Sequence, residues 1–376
     1  MRAVLFLFYG GAIVGLSVWL VYLVDVLPVV SRADFVLALW KHLLPGLEGG
    51  DLSGILLRVF HIFGGHIVAY TRLFQISNYW LFDYSPMAVK YAGLLTYAFA
   101  WFAFAYMARQ TLGKGIGAAT LILLATGLIC SPTTYGLISW PDAIVPYYSC
   151  FIVLSLVLPH VCRWLERTGP RDLLWLTLAG FAVICGSGVG WAVVPTFILT
   201  GALAKGQVDR LARSGYWPLC LFFAVGAVLV ALLGGRLLLL EFMESFEDAF
   251  HLGDARSSLA GVIDNPGLAI KFFFAVLATN ALLGSVEGTY AFGVVALMFW
   301  LCLVLRCIAV GETRRFNLWI SFAVFGLLSV LLTTLARWQL MITHGLTNAS
   351  QNYSAFALPF HLGTLGLAIA LAEHDV

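Results

Sequence analysis

A chain of 376 residues in which 61% are hydrophobic and only 11% charged has too little polar surface for a water-soluble fold. Its mean hydropathy of +0.94 points instead to spans of about 20 apolar residues, the length that a bilayer core requires. The net charge is only +2, and no basic run is interleaved with aromatic residues, so nucleic acid is excluded as a partner.

The first basic residue, Arg2, precedes an apolar run over residues 4–24 that has no small-residue cleavage site, which reads as an uncleaved first span. Residues 25–86 follow, too polar to lie comfortably in lipid and too apolar for a free linker. This stretch carries Asp34, Asp51, His61, His66 and Arg72 among aromatic side chains. Further spans are expected at 87–108, 115–130 and 144–162. Residues 173–204 are too long for one crossing, and the sequence CGSGVGW (185–191) puts three glycines in five residues at their centre. Such a run breaks a helix, so two short crossings joined at the far surface are expected. Spans at 216–239, 289–310, 316–336 and 355–372 complete the reading.

Lysine and arginine in the short loops set the orientation. Arg2, Arg109, Lys114, Arg163, Arg167, Arg171, Lys205, Arg210, Arg213, Arg306, Arg314 and Arg315 all mark one side, more than half of the 21 basic residues. That side is expected to be cytoplasmic. The opposite loops hold most of the acid. A crossing at 55–82 would carry Arg58, His61, His66 and Arg72 into hydrocarbon at a few kcal/mol per charge, so interfacial helices are expected there. Residues 268–284 pose the same conflict and read as a re-entrant or interfacial piece. The expectation is an all-α integral membrane protein of about 10–11 transmembrane helices. It forms a single polytopic domain over residues 1–376, with outer loops at 25–86, 240–268 and 337–354.

Seven cysteines all fall in or beside apolar segments without paired spacing, as small buried hydrophobes do. His61 and His66 are not spaced i,i+4, and no metal-ligand motif is present. Asp34 and Lys41 share a helical face, and Asp34 reads either as a solvated interfacial charge or as a general base beside the membrane. Asp51 opens LSGILLRVF as an N-cap would. His66 is a packing residue or a ligand. Arg72 suits a phosphate, whose oxygens its fork can bind in pairs, or a structural pair with Asp34, Asp51 or Asp83. Residues 241–252 (EFMESFEDAFHL) space phenylalanines on one face and acids on another, as a helix lying on a leaflet would. In the last outer loop, Arg337, His344, Asn348, Gln351, Asn352 and Tyr353 offer hydrogen-bonding groups suited to sugar hydroxyls.

The order of features resembles bacterial polytopic proteins of the GT-C glycosyltransferase superfamily. An acidic residue after the first span leads into HIVxxxRL (66–73) and YWLF (79–82). The glycine break at 186–190, the stretch FFAVLATNALLG (273–284) and R-x(7)-G-x(3)-A-S-x-x-Y (337–353) follow. The resemblance implies a GT-C-like first outer loop of interfacial helices. It also implies transfer of a sugar from a polyprenyl-phosphate donor at the outer face of the bacterial inner membrane, in envelope polysaccharide or glycolipid assembly. In such proteins a first-loop carboxylate serves as base, sometimes with a divalent cation. Asp34 matches the catalytic position, and Asp51, His66, Arg72, Arg337, His344 and Tyr353 fall to substrate binding. Gly65 and Ile67 stand where the family carries Glu and Arg, and Gln351 and Asn352 where the last loop carries Arg. Those departures support a second reading: a non-catalytic subunit that positions a partner of envelope assembly or a lipid-linked glycan. A transporter is the third, disfavoured because the spans hold almost no ionisable residues at mid-depth.

Overall fold

The computed structural model describes residues 2–26, 49, 59, 62–63, 66–67, 69–83, 85–131, 141–167, 170–208, 262, 265–280, 286–337 and 353–374. Helix α1 (Arg2–Val26) is followed by two two-residue strands, β1 (Ile62–Phe63) and β2 (His66–Ile67). Then come α2 (Ala69–Phe82), α3 (Pro86–Leu112), α4 (Ile116–Ile129), α5 (Pro141–Arg167) and α6 (Pro170–Ile184). A 3-10 turn (Gly188–Ala192) leads into α7 (Val193–Ala204). Helices α8 (Pro266–Leu277), α9 (Val286–Val310), α10 (Asn317–Arg337) and α11 (Ser354–His374) close the order.

Six of these helices are long and apolar enough to cross a membrane: α1, α3, α5, α9, α10 and α11. The protein is an α-helical, multi-pass membrane protein. The span expected at 216–239 and the amphipathic segment at 241–252 lie outside the described residues. Helix α8 has 12 residues, about 18 Å of rise, which is short of a bilayer core of about 30 Å. Its C-terminal residues Leu277 and Ala278 are fully buried, so it ends inside the bundle.

Lipid offers no hydrophobic drive between helices, so close contact of small residues decides which pairs form. Helices α10 and α11 meet backbone to backbone. A Cβ on Gly326 would overlap the Phe360 main chain, one on Gly363 the Ala323 main chain, and one on Gly366 the Trp319 indole. Aromatic rings tie this pair to α3 and α5: Phe104 lies 6.2 Å from Phe151 and 6.1 Å from Phe322, and Phe151 lies 5.8 Å from Phe322. Between α7 and α10 a closed polar ring supplies direction. Thr200 Oγ1 donates to Ser321 Oγ (2.9 Å), Ser321 donates to Asn317 Oδ1 (3.0 Å), and Asn317 Nδ2 donates to Thr200 O (3.0 Å). Helices α1 and α9 stand at the periphery, since 17% of each apolar window is buried against 78% for α10.

One end of the bundle gathers the basic loops. Arg109 stacks 6.0 Å over the Tyr9 ring, Arg314 pairs with Glu166 (3.5 Å), and Glu312 meets Arg315 (3.7 Å) and His374 (3.4 Å). The chain thus turns at this end after α3, α5 and α9, and α11 runs back to it, as the loop charges imply. In the first long loop the described residues hold a short strand pair besides the helix α2. Ile62 pairs with Ile67 and Phe63 with His66 in an antiparallel ladder.

Gly326→Val drives a branched side chain into the Phe360 backbone and is expected to cost about 1–3 kcal/mol or more. Gly10→Val, at a position with open space around it, leaves the melting temperature in detergent unchanged. Equal melting of the two variants would contradict the packing described.

Candidate functional site

The far end, opposite the basic loops, is built around the break between α6 and α7. Gly186 packs against Ser149 and Cys150, and Gly190 against the Val183 carbonyl, at distances that admit no side chain. Ser187 Oγ accepts from Val189 N–H (3.4 Å), starting the 3-10 turn. Cys150 Sγ donates to Val183 O (3.3 Å). Cys185, Gly186, Ser187, Val189 and Gly190 are all buried. Because Cys150 stands nine residues into α5, the break lies about 14 Å below the start of that helix. The two short helices therefore join inside the bundle, not at the far surface expected from the glycines alone.

Helix α2 covers this break. Its first N–H, on Ala69, donates to Cys185 O (3.0 Å), and Tyr70 Oη donates to Ala182 O (2.7 Å). Val59, Ala69, Ile76 and Cys185 form a separate apolar cluster beneath it, flanked by Tyr70 and Tyr79. Thr71, Arg72 and Asn78 also face inward, with Arg72 only 3% exposed. The opposite side of the last turn is apolar and exposed: Trp80 58%, Leu81 71%, Phe82 56%. Such a helix fits the membrane interface, as expected for part of this loop. Burial lowers the Arg72 pKa to about 10, which leaves the guanidinium charged at neutral pH. Burial, with the nearby Cys185 and Cys150, pushes the Tyr70 phenol up to about 12.

A second cluster joins α5, α8, α10 and α11. The Tyr147 ring lies 6.2 Å from Tyr353 and 5.0 Å from Phe356, and Phe272 lies 6.4 Å from Tyr353. Arg337, at the end of α10, is close enough to act electrostatically on the Tyr147 and Tyr353 phenols. Burial raises the Tyr353 pKa, and the Arg337 cation opposes that shift. Asn280 Nδ2, just past α8, donates to Ser354 O at the first turn of α11 (3.1 Å).

The sequence-derived residues thus fall into three groups. Arg337 and Tyr353 come together. Arg72 sits in the α2 cover, and His66 is placed in β2 opposite Phe63 by its backbone. Asp34, Asp51 and His344 lie outside the described residues. Among the described residues no cluster of three or more His, Cys, Asp or Glu side chains can hold a metal ion. Sequence reading overlooked Tyr147, Asn280 and Lys90. Lys90 is 8% exposed and lies on the same face of α3 as Leu94, Tyr97 and Trp101. That spacing was visible in the sequence, but a lysine near a helix end ordinarily reads as snorkelling to water.

No family model, curated protein or solved structure matches this chain. The site therefore rests on its own geometry.

Tyr70→Phe removes the bond to Ala182 O and is expected to cost about 1 kcal/mol. Amide exchange across residues 182–187 should accelerate in this variant while exchange in α10 stays unchanged. Uniform exchange in both regions would show that α2 does not secure the break.

Proposed function

We propose that this chain is a GT-C-like membrane glycosyltransferase that uses a polyprenyl-phosphate-linked sugar at the outer face of a bacterial inner membrane. Its product belongs to envelope polysaccharide or glycolipid assembly. The supporting observation is the Arg337 guanidinium beside Tyr147 and Tyr353, at the end of the bundle away from the basic loops. No carboxylate among the described residues pairs with it. A forked cation beside phenols and without a counter-ion suits a phosphate, and the phenols suit neighbouring sugar hydroxyls.

In this reading Asp34 takes the proton of an acceptor hydroxyl, whose oxygen then bonds to the anomeric carbon of the donor sugar. The bond from that carbon to the phosphate oxygen breaks, and the electron pair leaves with polyprenyl phosphate. Arg72 and Arg337 hold the phosphate as its charge grows. Asp51, His66, His344 and Tyr353 orient sugar and acceptor. The N-terminus and the basic loops face the cytoplasm.

The second reading is a non-catalytic subunit that presents a lipid-linked glycan to a partner enzyme. Gly65 and Ile67, where charged residues would flank His66, favour it.

Transfer of radiolabelled sugar from polyprenyl phosphate in membrane vesicles distinguishes the two. Asp34→Asn is expected to slow transfer about 10²- to 10⁴-fold, the usual share of general-base help. Arg337→Ala should lower it roughly 10- to 100-fold through loss of charge-assisted bonds. Undiminished transfer by Asp34→Asn sinks the catalytic reading. Absence of turnover together with a stably copurifying partner favours the subunit.

A further inference from the structure

Helix α11 begins inside the protein. Ser354, Ala355 and Ala357 are 0%, 2% and 0% exposed. The residue before them is Tyr353, whose phenol cannot fold back onto the first amides as a serine, threonine or aspartate cap does. The Phe356 N–H donates to Tyr353 O (2.9 Å), but those of Ser354 and Ala355 have no acceptor within the helix. The aligned peptide dipoles of a 21-residue helix thus end at a place shielded from bulk water.

A second observation points to the same place. Ser354 Oγ is buried and has no hydrogen-bond partner among the described residues. Side chains lean toward the N-terminus of their helix, so this hydroxyl is directed out of the end of α11, beside the first amides. Buried hydroxyls are nearly always bonded, and this one calls for an acceptor. The turn that carries it is held in place: Asn280 Nδ2 donates to Ser354 O (3.1 Å), which ties the end of α11 to the segment just past α8.

The packing of α10 on α11 sets what lies beyond this end. Gly326 abuts Phe360 and Ala323 abuts Gly363, so the two helices run antiparallel in a fixed register. Continued outward, that register puts Leu332 level with Ser354. Arg337 lies about one and a half turns farther along α10, roughly 8 Å beyond the first turn of α11. Its cation acts on the Tyr353 and Tyr147 phenols, whose rings are 6.2 Å apart. Helix end, hydroxyl and guanidinium approach one position from two sides, and all three favour an anion.

We propose that the buried N-terminus of α11 seats a phosphate group. The Ser354 and Ala355 amides and the Ser354 hydroxyl donate to its oxygens from below, and the Arg337 guanidinium approaches from above. Every one of these groups donates, so the seat selects a ligand whose oxygens only accept. That chemistry is shared by polyprenyl phosphate, a phospholipid head group and inorganic phosphate. The choice of polyprenyl phosphate rests on the function proposed above, in which α11 then holds the leaving phosphate as its charge grows.

Binding is measured on the purified full-length chain in phosphatidylcholine nanodiscs, with farnesyl phosphate as the probe. Farnesol, inorganic phosphate and nanodiscs containing phosphatidylglycerol are separate arms. Ser354→Ala is expected to weaken farnesyl phosphate binding about 10-fold or more, the loss of one charge-assisted hydrogen bond. It should melt at the parent's temperature, because the hydroxyl it removes has no partner there. Ser354→Asp puts a carboxylate at the helix end, which the dipole favours, and should bind no phosphate while melting no lower. Equal binding by the parent and Ser354→Ala overturns the proposal. So does farnesol bound as tightly as farnesyl phosphate, a parent that binds none of the three phosphates, or a lower melting temperature in Ser354→Ala. Ser354-dependent binding of inorganic phosphate or phosphatidylglycerol as tight as that of farnesyl phosphate upholds the seat and removes the polyprenyl carrier from it. Ser354-dependent binding in a chain that transfers no sugar upholds the seat while the transferase reading fails. Sugar transfer that stops in Asp34→Asn, with binding indifferent to Ser354, overturns this inference alone.

Discussion

The backbone contact between α10 and α11 is the constraint on which the rest of the bundle depends. In lipid, neither helix gains by hiding apolar surface, so their pairing rests on how closely main chains approach. Gly326, Gly363 and Gly366 allow that approach over two turns of α11, from Phe360 to Gly366. Once the pair is fixed, Trp319 and Phe322 present a ring surface to which α3 and α5 add Phe104 and Phe151. The Thr200–Ser321–Asn317 ring then locks α7 in rotation as well as in position. The peripheral helices α1 and α9 are free to present apolar side chains to lipid, because the centre does not need them for closure.

The same rigidity explains how the far end is organised. Helix α5 directs four neighbouring positions to three different surroundings: Tyr147 toward α11, Tyr148 toward α3, and Ser149 with Cys150 toward the break. Its outer half is therefore the post around which α2, the α6–α7 junction and the aromatic cluster with Arg337 are arranged. Short α6 and α7 leave room above their junction, and α2 occupies it. Polar groups that lipid could not accommodate thus find a protein-lined place at membrane depth.

Much of this architecture was legible in the chain. Long apolar runs mark α1, α3, α5, α9, α10 and α11, because hydropathy over about 20 residues is a local property. The loop charges also separate the two ends correctly within the bundle. Depth was not legible. The glycines at 186–190 announce a break, but only Ser149 and Cys150, some 36 residues earlier, show that it is buried. Gly64 and Gly65 could have signalled a strand pair, yet the apolar residues around them fit helix and strand equally well over so short a run. Arg337 and Tyr353 stood out in the sequence because they are polar residues beside the ends of apolar runs. Tyr147 and Lys90 were missed because each lies within a span, where aromatic and snorkelling residues are ordinary and only the fold shows what they face.

The bonds that hold α2 down also set an order of events during synthesis. Tyr70 reaches Ala182 across 112 residues of sequence, and Ala69 reaches Cys185. When the first long loop leaves the ribosome, the carbonyls that will receive it have not been made. At roughly 5–20 residues per second, about 6 to 22 s pass before they exist. For that interval the loop holds its buried polar face without a partner, while α3, α4 and α5 enter the membrane beside it. Closure of the far end is therefore a late step, and the residues of the α6–α7 junction decide when it becomes available.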